Sequence, residues 1–260
     1  MQNNSNPIGF FDSGIGGTSI WKEVSRLLPN ENTIYLADSK NAPYGIKSKK
    51  EIIELCFKNV DFLLKKKCKL IVVACNTATT NAIKEMRATY AVPFIGIEPA
   101  IKPAAIYSKT QKIGVLATKG TITSELFYEK AKQYTNVNFV EQIGTGLVEL
   151  IENGKIESEE MTQLLNQYLQ PMIAENIDYL VLGCSHYPYL IAQIQKILPN
   201  SIKIIDSGEA VAKQTKNILM QNNLRNSNTK KGEHLFFTNN NPTVLQNILQ
   251  FSTNVNYLDF

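Results

Sequence analysis

Two cysteines carry the chemistry most readily read from this chain. Cys75 closes the apolar run Leu70, Ile71, Val72, Val73 in KLIVVACNTA, and Cys184 closes a second such run in DYLVLGCSHYP. Each is followed by polar residues, Asn76-Thr77 after the first and Ser185-His186 after the second, and then by a helical pattern. Short apolar runs of this kind read as strands buried on both faces of a parallel sheet, and ligands of open α/β sheets collect beyond the carboxyl ends of such strands. A thiol at a helix start also meets free N–H groups, which favour its anion. A strand-end cysteine can equally be a small buried hydrophobe. What sets these two apart is their matched context; Cys56 and Cys68, on or beside an amphipathic helical stretch, lack such polar neighbours and read as structural.

Paired thiols suit one class of reaction. Inverting a carbon stereocentre needs a base on one face and an acid on the other, and a thiolate and thiol whose protonation states swap at each turnover work in both directions. Asp12, in DSGIGGT, and His186, two residues beyond Cys184, are the groups able to tune these sulfurs, each as proton partner to its own thiol. Asp12 also reads as a capping or turn residue, and His186 as a structural hydrogen-bonding group. Competing sites fit less well. Zinc sites often pair ligands as C-x-x-C, and neither cysteine has such a partner. Gly14, Gly16 and Gly17 lack the spacing and the lysine of phosphate loops, and Asp12 repels phosphate. A cysteine hydrolase uses one nucleophile and has no need of two symmetric thiols.

The elements that must hold these residues alternate strand and helix. The expected order is strand Ile8 to Phe11, helix Ile15 to Leu28, strand Thr33 to Ala37, helix Ser48 to Lys66, the strand of Cys75, a helix to Tyr90, and strand Pro93 to Ile97. Pro99 suits the first turn of a further helix, with Glu98 near its cap. The pattern restarts at Lys112, where IGVLATKGT parallels the opening IGFFDSGIGGT. A helix from Ile122 to Tyr134, strand Val137 to Gln142, helices near Gly146 to Glu152 and Ser158 to Glu175, the strand of Cys184 and strand Ile202 to Ile205 follow. After a helix to Asn222, the polar stretch Asn223 to Gly232 reads as a loop, then strand Leu235 to Thr238 and helix Pro242 to Phe251. This predicts two similar doubly wound α/β domains, 1–98 joined by 207–260 and 99–206, the tail folding back onto the first.

Composition narrows the function further. With 260 residues, 43% hydrophobic and 19% charged, the chain can build one large or two smaller cores. It holds no apolar run of membrane-spanning length, and its start lacks the basic and apolar regions of a signal peptide, so a cytoplasmic location with reduced cysteines is expected. The net charge of +4 is too small to suggest a nucleic-acid partner, and Lys65, Lys66, Lys67 and Lys69 read as a solvated helix end.

The combination Asp12-Ser13-Gly14, Asp38-Ser39, Pro43-Tyr44-Gly45, Ala74-Cys75-Asn76-Thr77-Ala78, Glu98-Pro99, Gly183-Cys184-Ser185-His186-Tyr187-Pro188 and Asp206-Ser207-Gly208 resembles the glutamate racemases of the aspartate/glutamate racemase superfamily, over nearly the whole chain. The resemblance implies two pseudo-symmetric domains with the site in the cleft between them, no pyridoxal phosphate or other cofactor, no metal, and interconversion of L- and D-glutamate for peptidoglycan. It implies that Cys75, assisted by Asp12, takes the α-proton of D-glutamate and that Cys184, assisted by His186, takes that of L-glutamate, with Glu152 near the second thiol. It further implies Ser13, Asp38, Ser39, Pro43, Tyr44, Gly45, Asn76, Thr77, Thr118, Thr121 and Ser185 as substrate-binding residues, and a homodimer. Ser185 stands where threonine is common, and GTGLVELIE lacks prolines often found there. The short start MQNNSN lacks the extension that accompanies activation by a cell-wall precursor, so no such activation is expected. Aspartate racemisation, and amino-acid binding without turnover, are the alternatives.

Overall fold

The computed structural model describes residues 4–250 and 255–260. The first three residues of MQNNSN, and Phe251, where the last helix is expected to end, lie outside them. Among the described residues the strands are β1 Ile8–Asp12, β2 Thr33–Ala37, β3 Leu70–Val73, β4 Phe94–Gly96, β5 Lys112–Ala117, β6 Asn138–Ile143, β7 Tyr179–Gly183, β8 Lys203–Ile205, β9 His234–Thr238 and β10 Val255–Tyr257. The helices are α1 Thr18–Leu27, α2 Lys49–Lys65, α3 Asn76–Thr89, α4 Ile101–Tyr107, α5 Lys119–Ile122, α6 Glu125–Ala131, α7 Leu147–Glu152, α8 Glu159–Ala174, α9 Ile191–Ile197, α10 Gly208–Gln221 and α11 Pro242–Leu249.

Every strand pairing is parallel, in two sheets ordered β10-β9-β2-β1-β3-β4 and β6-β5-β7-β8. β1, β2 and β3 are buried throughout, as expected of parallel strands covered by helices on both faces. The inner order β2-β1-β3-β4 repeats as β6-β5-β7-β8, so β3 and β7 occupy equivalent places beside a point where strand order reverses. Cys75 and Cys184 follow these two strands. The halves also share apolar packing: one buried cluster runs from Phe10 through Ile97 to Leu150 and Leu182.

Local chemistry explains where expectation and structure part. The first-turn proline of α4 is Pro103, while Pro99 stands before the helix and its carbonyl accepts the Ile101 N–H at 2.8 Å. The helix expected from Ile122 to Tyr134 starts instead at Glu125, as α6, because the Ser124 hydroxyl accepts the Phe127 N–H at 3.2 Å and caps a new start; Ile122 closes the separate short α5. By contrast Ser48 and Glu51 form a reciprocal capping box at α2, within one residue of the expected boundary. β10, only three residues long, had no sequence signal of its own.

Lys69 corrects the reading of a solvated basic run. Its side chain is fully buried, with Nζ 2.5 Å from Glu31 Oε2, and Glu31 Oε1 accepts the Asn226 N–H at 2.8 Å. Lys69, just before β3, is held beside the start of β1 by its N–H to the Pro7 carbonyl at 2.9 Å, and a buried ammonium must be paired. Lys69→Met leaves the Glu31 carboxylate buried without its counter-charge and is expected to cost about 3–5 kcal/mol in urea unfolding. A loss under about 1 kcal/mol contradicts this account.

Candidate active site

Asp12 ends β1, Cys75 caps α3 just beyond β3, and Cys184 immediately follows β7. Both thiols line one small pocket. From the first sheet's side it is lined by Ser13, Pro43, Tyr44, Gly45, Asn76 and Thr77, and from the second by Thr118, Val148, Ser185 and His186. Sulfurs from opposite halves thus face one enclosed space.

Their surroundings differ. Cys75 Sγ accepts the Ala78 N–H of the first helical turn at 3.4 Å and lies 3.6 Å from Ser13 Oγ. Burial, reinforced by the Asp12 carboxylate, nevertheless pushes this thiol well up, outweighing both hydrogen bonds. Asp12 is itself pushed up by burial, against the pull of the His186 charge and the Gly17 N–H. Its oxygens accept from Gly17 N–H at 2.8 Å, Gly14 N–H at 3.3 Å and Ser185 Oγ at 3.1 Å. Cys75 is not one of these partners among the described residues, and the Asp12 charge raises that thiol without a direct hydrogen bond to it.

Cys184 Sγ lies 3.8 Å from His186 Nδ1, and His186 Nε2 lies 2.5 Å from Glu152 Oε1. Burial opposes a charged imidazole here, but the hydrogen bonds to Cys184 and Glu152 and the Asp12 charge raise His186 well above its ordinary range. In that charged form it donates from Nε2 to Glu152 and from Nδ1 toward sulfur. Glu152 Oε1 also accepts the Ile15 N–H at 2.7 Å, joining α7 to the β1–α1 loop. Two glycines make this approach possible: a Cβ on Gly14 would lie 1.9 Å from Glu152 Oε1, and one on Gly16 would lie 2.3 Å from His186 Nδ1.

Asn76 supplies the clearest sign of a ligand. Its side chain is 2% exposed and lines the cavity, yet neither its amide nitrogen nor its oxygen has a hydrogen-bond partner among the described residues. Buried amides are normally paired, so a polar guest in the cavity completes this one. Nearby, Thr77 Oγ1 and Thr118 Oγ1 lie 2.8 Å apart across the two halves, with Thr121 Oγ1 3.1 Å from Thr118.

Three expected substrate contacts do not line the cavity. Asp38 is a buried hub instead: Tyr44 Oη donates to Oδ2, while Asn41 and Asn239 donate to Oδ1 at 2.7 and 2.6 Å. It holds the loop whose Tyr44 and Gly45 reach the site. Ser39 is half-buried beside it, and its hydroxyl has no partner among the described residues. Thr121, fully buried, braces Thr77 and Thr118 from behind. Val148 lines the cavity without having been singled out, because an apolar residue of an amphipathic helix carries no chemical signal.

A family model described as Asp/Glu/hydantoin racemase matches residues 16–215. The glutamate racemase of Clostridium kluyveri is 42% identical over 243 residues, covering 93% of this chain and 95% of that one. Among solved structures, the glutamate racemase isoform RacE1 of Bacillus anthracis superposes with a TM-score of 0.88 at 32% identity, covering 99% of this chain and 98% of that one. The glutamate racemase of Francisella tularensis in complex with D-glutamate gives 0.85 at 30% identity, with the same coverage.

The raised Cys75 thiol has a direct chemical consequence, since only the thiolate alkylates at an appreciable rate. Iodoacetamide labelling of Cys75, followed by peptide mass spectrometry, is expected to be slower at pH 8 than that of a free thiol and to accelerate as pH rises. Asp12→Asn removes the neighbouring negative charge and so brings the thiol down, accelerating labelling at fixed pH. Unchanged or slower labelling in that variant removes Asp12 as the electrostatic cause.

Proposed function

The chain belongs to the Asp/Glu/hydantoin racemase family, with glutamate racemases as its relatives, and from that premise we propose that it inverts the α-carbon of glutamate by passing protons between Cys75 and Cys184. It interconverts L- and D-glutamate and so supplies D-glutamate for peptidoglycan. One observation carries the mechanism: two buried thiols at equivalent strand ends line the same cavity.

In the L-to-D direction, Cys184 thiolate takes the α-proton from one face and the Cys75 thiol delivers its own to the other. The sulfurs finish with exchanged protonation states, ready for the reverse reaction. The high Cys75 thiol supports its role as donor in this direction, and His186, held by Glu152, lies 3.8 Å from Cys184 Sγ as that sulfur's neighbouring proton partner. The developing carbanion charge spreads into the α-carboxylate. The Asn76 amide, the hydroxyls of Ser13, Thr77, Thr118 and Ser185, and the backbone at Pro43, Tyr44 and Gly45 are the groups assigned to the two carboxylates and the ammonium. Such neutral donors orient charge without a strong cation that would lock either thiol as an anion. Asp38, Ser39 and Thr121 serve this binding indirectly, by bracing the residues that do it.

The same reading takes 1–98 with 207–260 as one domain and 99–206 as the other, supported by the strands each sheet recruits. It also takes the protein as a cytoplasmic homodimer. Among the described residues no helix is long and apolar enough to cross a membrane.

Incubation with D-glutamate in deuterated water, without added cofactor, is expected to abolish optical rotation as deuterium enters Cα. Reaction of aspartate alone moves the substrate to aspartate and keeps the two-thiol chemistry; tight glutamate binding without exchange makes the protein a binder. Cys75→Ser and Cys184→Ser are each expected to lower kcat by about 100-fold or more with the circular dichroism spectrum retained. Near-normal rates in both directions refute the thiol assignment.

A further inference from the structure

Two-base inversion requires the sulfurs to stay aligned on one carbon while the groups around them change charge at every turnover. Segment 12–19, from the end of β1, holds Ser13 Oγ 3.6 Å from Cys75 Sγ, and segment 184–189 begins at Cys184; the two come from different sheets and share no backbone hydrogen bond with one another among the described residues. Besides the apolar packing that the halves share, hydrogen bonds through side chains set their spacing. Three of those ties, Ser185 to Asp12, Glu152 to Ile15 and Glu152 to His186, each have a titratable carboxylate or imidazole as a partner, so their strength depends on the charge of the site.

Two other ties lie off the cavity and carry no charge. Ser19 Oγ donates to the Ser185 carbonyl at 2.9 Å. Tyr189 Oη donates to Thr18 Oγ1 at 2.6 Å, and Thr18 Oγ1 donates onward to the Ile15 carbonyl at 2.5 Å. The Tyr189 ring is steadied by Lys22 Nζ, 5.1 Å from its centroid and itself anchored to the Ile248 carbonyl at 2.9 Å. Thr18, Ser19 and Tyr189 are absent from the cavity lining, and neither bond has a carboxylate, thiol or imidazole as a partner.

We propose that Ser19 and the Tyr189–Thr18 pair form an uncharged clasp between the two halves, and that they are positioning residues that keep Cys184 and Cys75 aligned across one α-carbon. The proposal rests on the two-thiol reading above. In each half-reaction the Cα–H bond breaks and its proton goes to one sulfur, and a new Cα–H bond takes its proton from the other. With the clasp intact, delivery from the far thiol follows removal promptly. With it loosened, the carbanion waits, the near thiol exchanges its proton with solvent, and deuterium returns to the face it left.

The test is to follow Ser19→Ala/Tyr189→Phe and Tyr189→Phe alone with L-glutamate in deuterated water, measuring inversion and deuterium in the unreacted L-enantiomer. The double variant is expected to lose about tenfold or more in kcat with KM little changed, because no substrate contact is removed. Its ratio of retained exchange to inversion is expected to rise severalfold. An unchanged ratio overturns the proposal even if kcat falls, since lost stability alone slows both processes together. Should the double variant fail to fold, the single variant, which lacks one oxygen atom, decides by the same ratio. Inability of the unaltered protein to invert glutamate defeats the functional reading rather than the clasp.

Discussion

Glu152 Oε1 accepts two hydrogen bonds at once, from the Ile15 N–H of the first half and from His186 Nε2 of the second. Most of the site's geometry depends on this shared acceptor. It brings the β1–α1 loop against the loop of Cys184, and it does so only because Gly14 and Gly16 present no Cβ where the carboxylate and the imidazole must lie. At the other side of the cavity the hydroxyls of Thr77, Thr118 and Thr121 bridge the same two halves. Between these fastenings the thiols share a small, enclosed space, in which electrostatic interactions are stronger than in water.

The pseudo-symmetry is one of strands rather than of chemistry. Equivalent positions after β3 and β7 deliver a sulfur from each half, but one sits beside a carboxylate at a helix start and the other beside a charged imidazole. A reaction between mirror-image substrates needs a proton acceptor on each face; it does not need the two to be built alike. Asymmetry enters at the sheet edge as well. β9 and β10 extend the first sheet only, and Asn239, just beyond β9, reaches back to Asp38 and accepts the Lys40 N–H at 2.9 Å. The final segment thereby holds the loop of Tyr44 and Gly45 in place.

Much of this architecture could be read before any coordinates. Strands β2 and β3 coincide with their expected limits because each is an apolar run bounded by polar or turn residues. The thiols were legible from matched local context, and Gly14 and Gly16 stood out, although their reason did not: it lies in Glu152 and His186, more than a hundred residues away. Long-range pairing hid the rest. Nothing local marks Lys69 as the buried partner of Glu31, or turns Asp38 from the cavity toward Asn239. Glu152 reads locally as one more polar residue of an amphipathic helix, and only family resemblance brought it forward.

The arrangement of strands along the chain also governs how the molecule is made. The second sheet draws on residues 112–205 alone, whereas the outer edge of β2 pairs with β9, which begins at His234. Synthesis from the N-terminus therefore releases everything the second sheet requires while the first still has an uncovered edge. Unpaired parallel edges invite association with other chains. The half that starts first is completed last, and the nascent polypeptide passes through a stage in which β2 is exposed to foreign pairing.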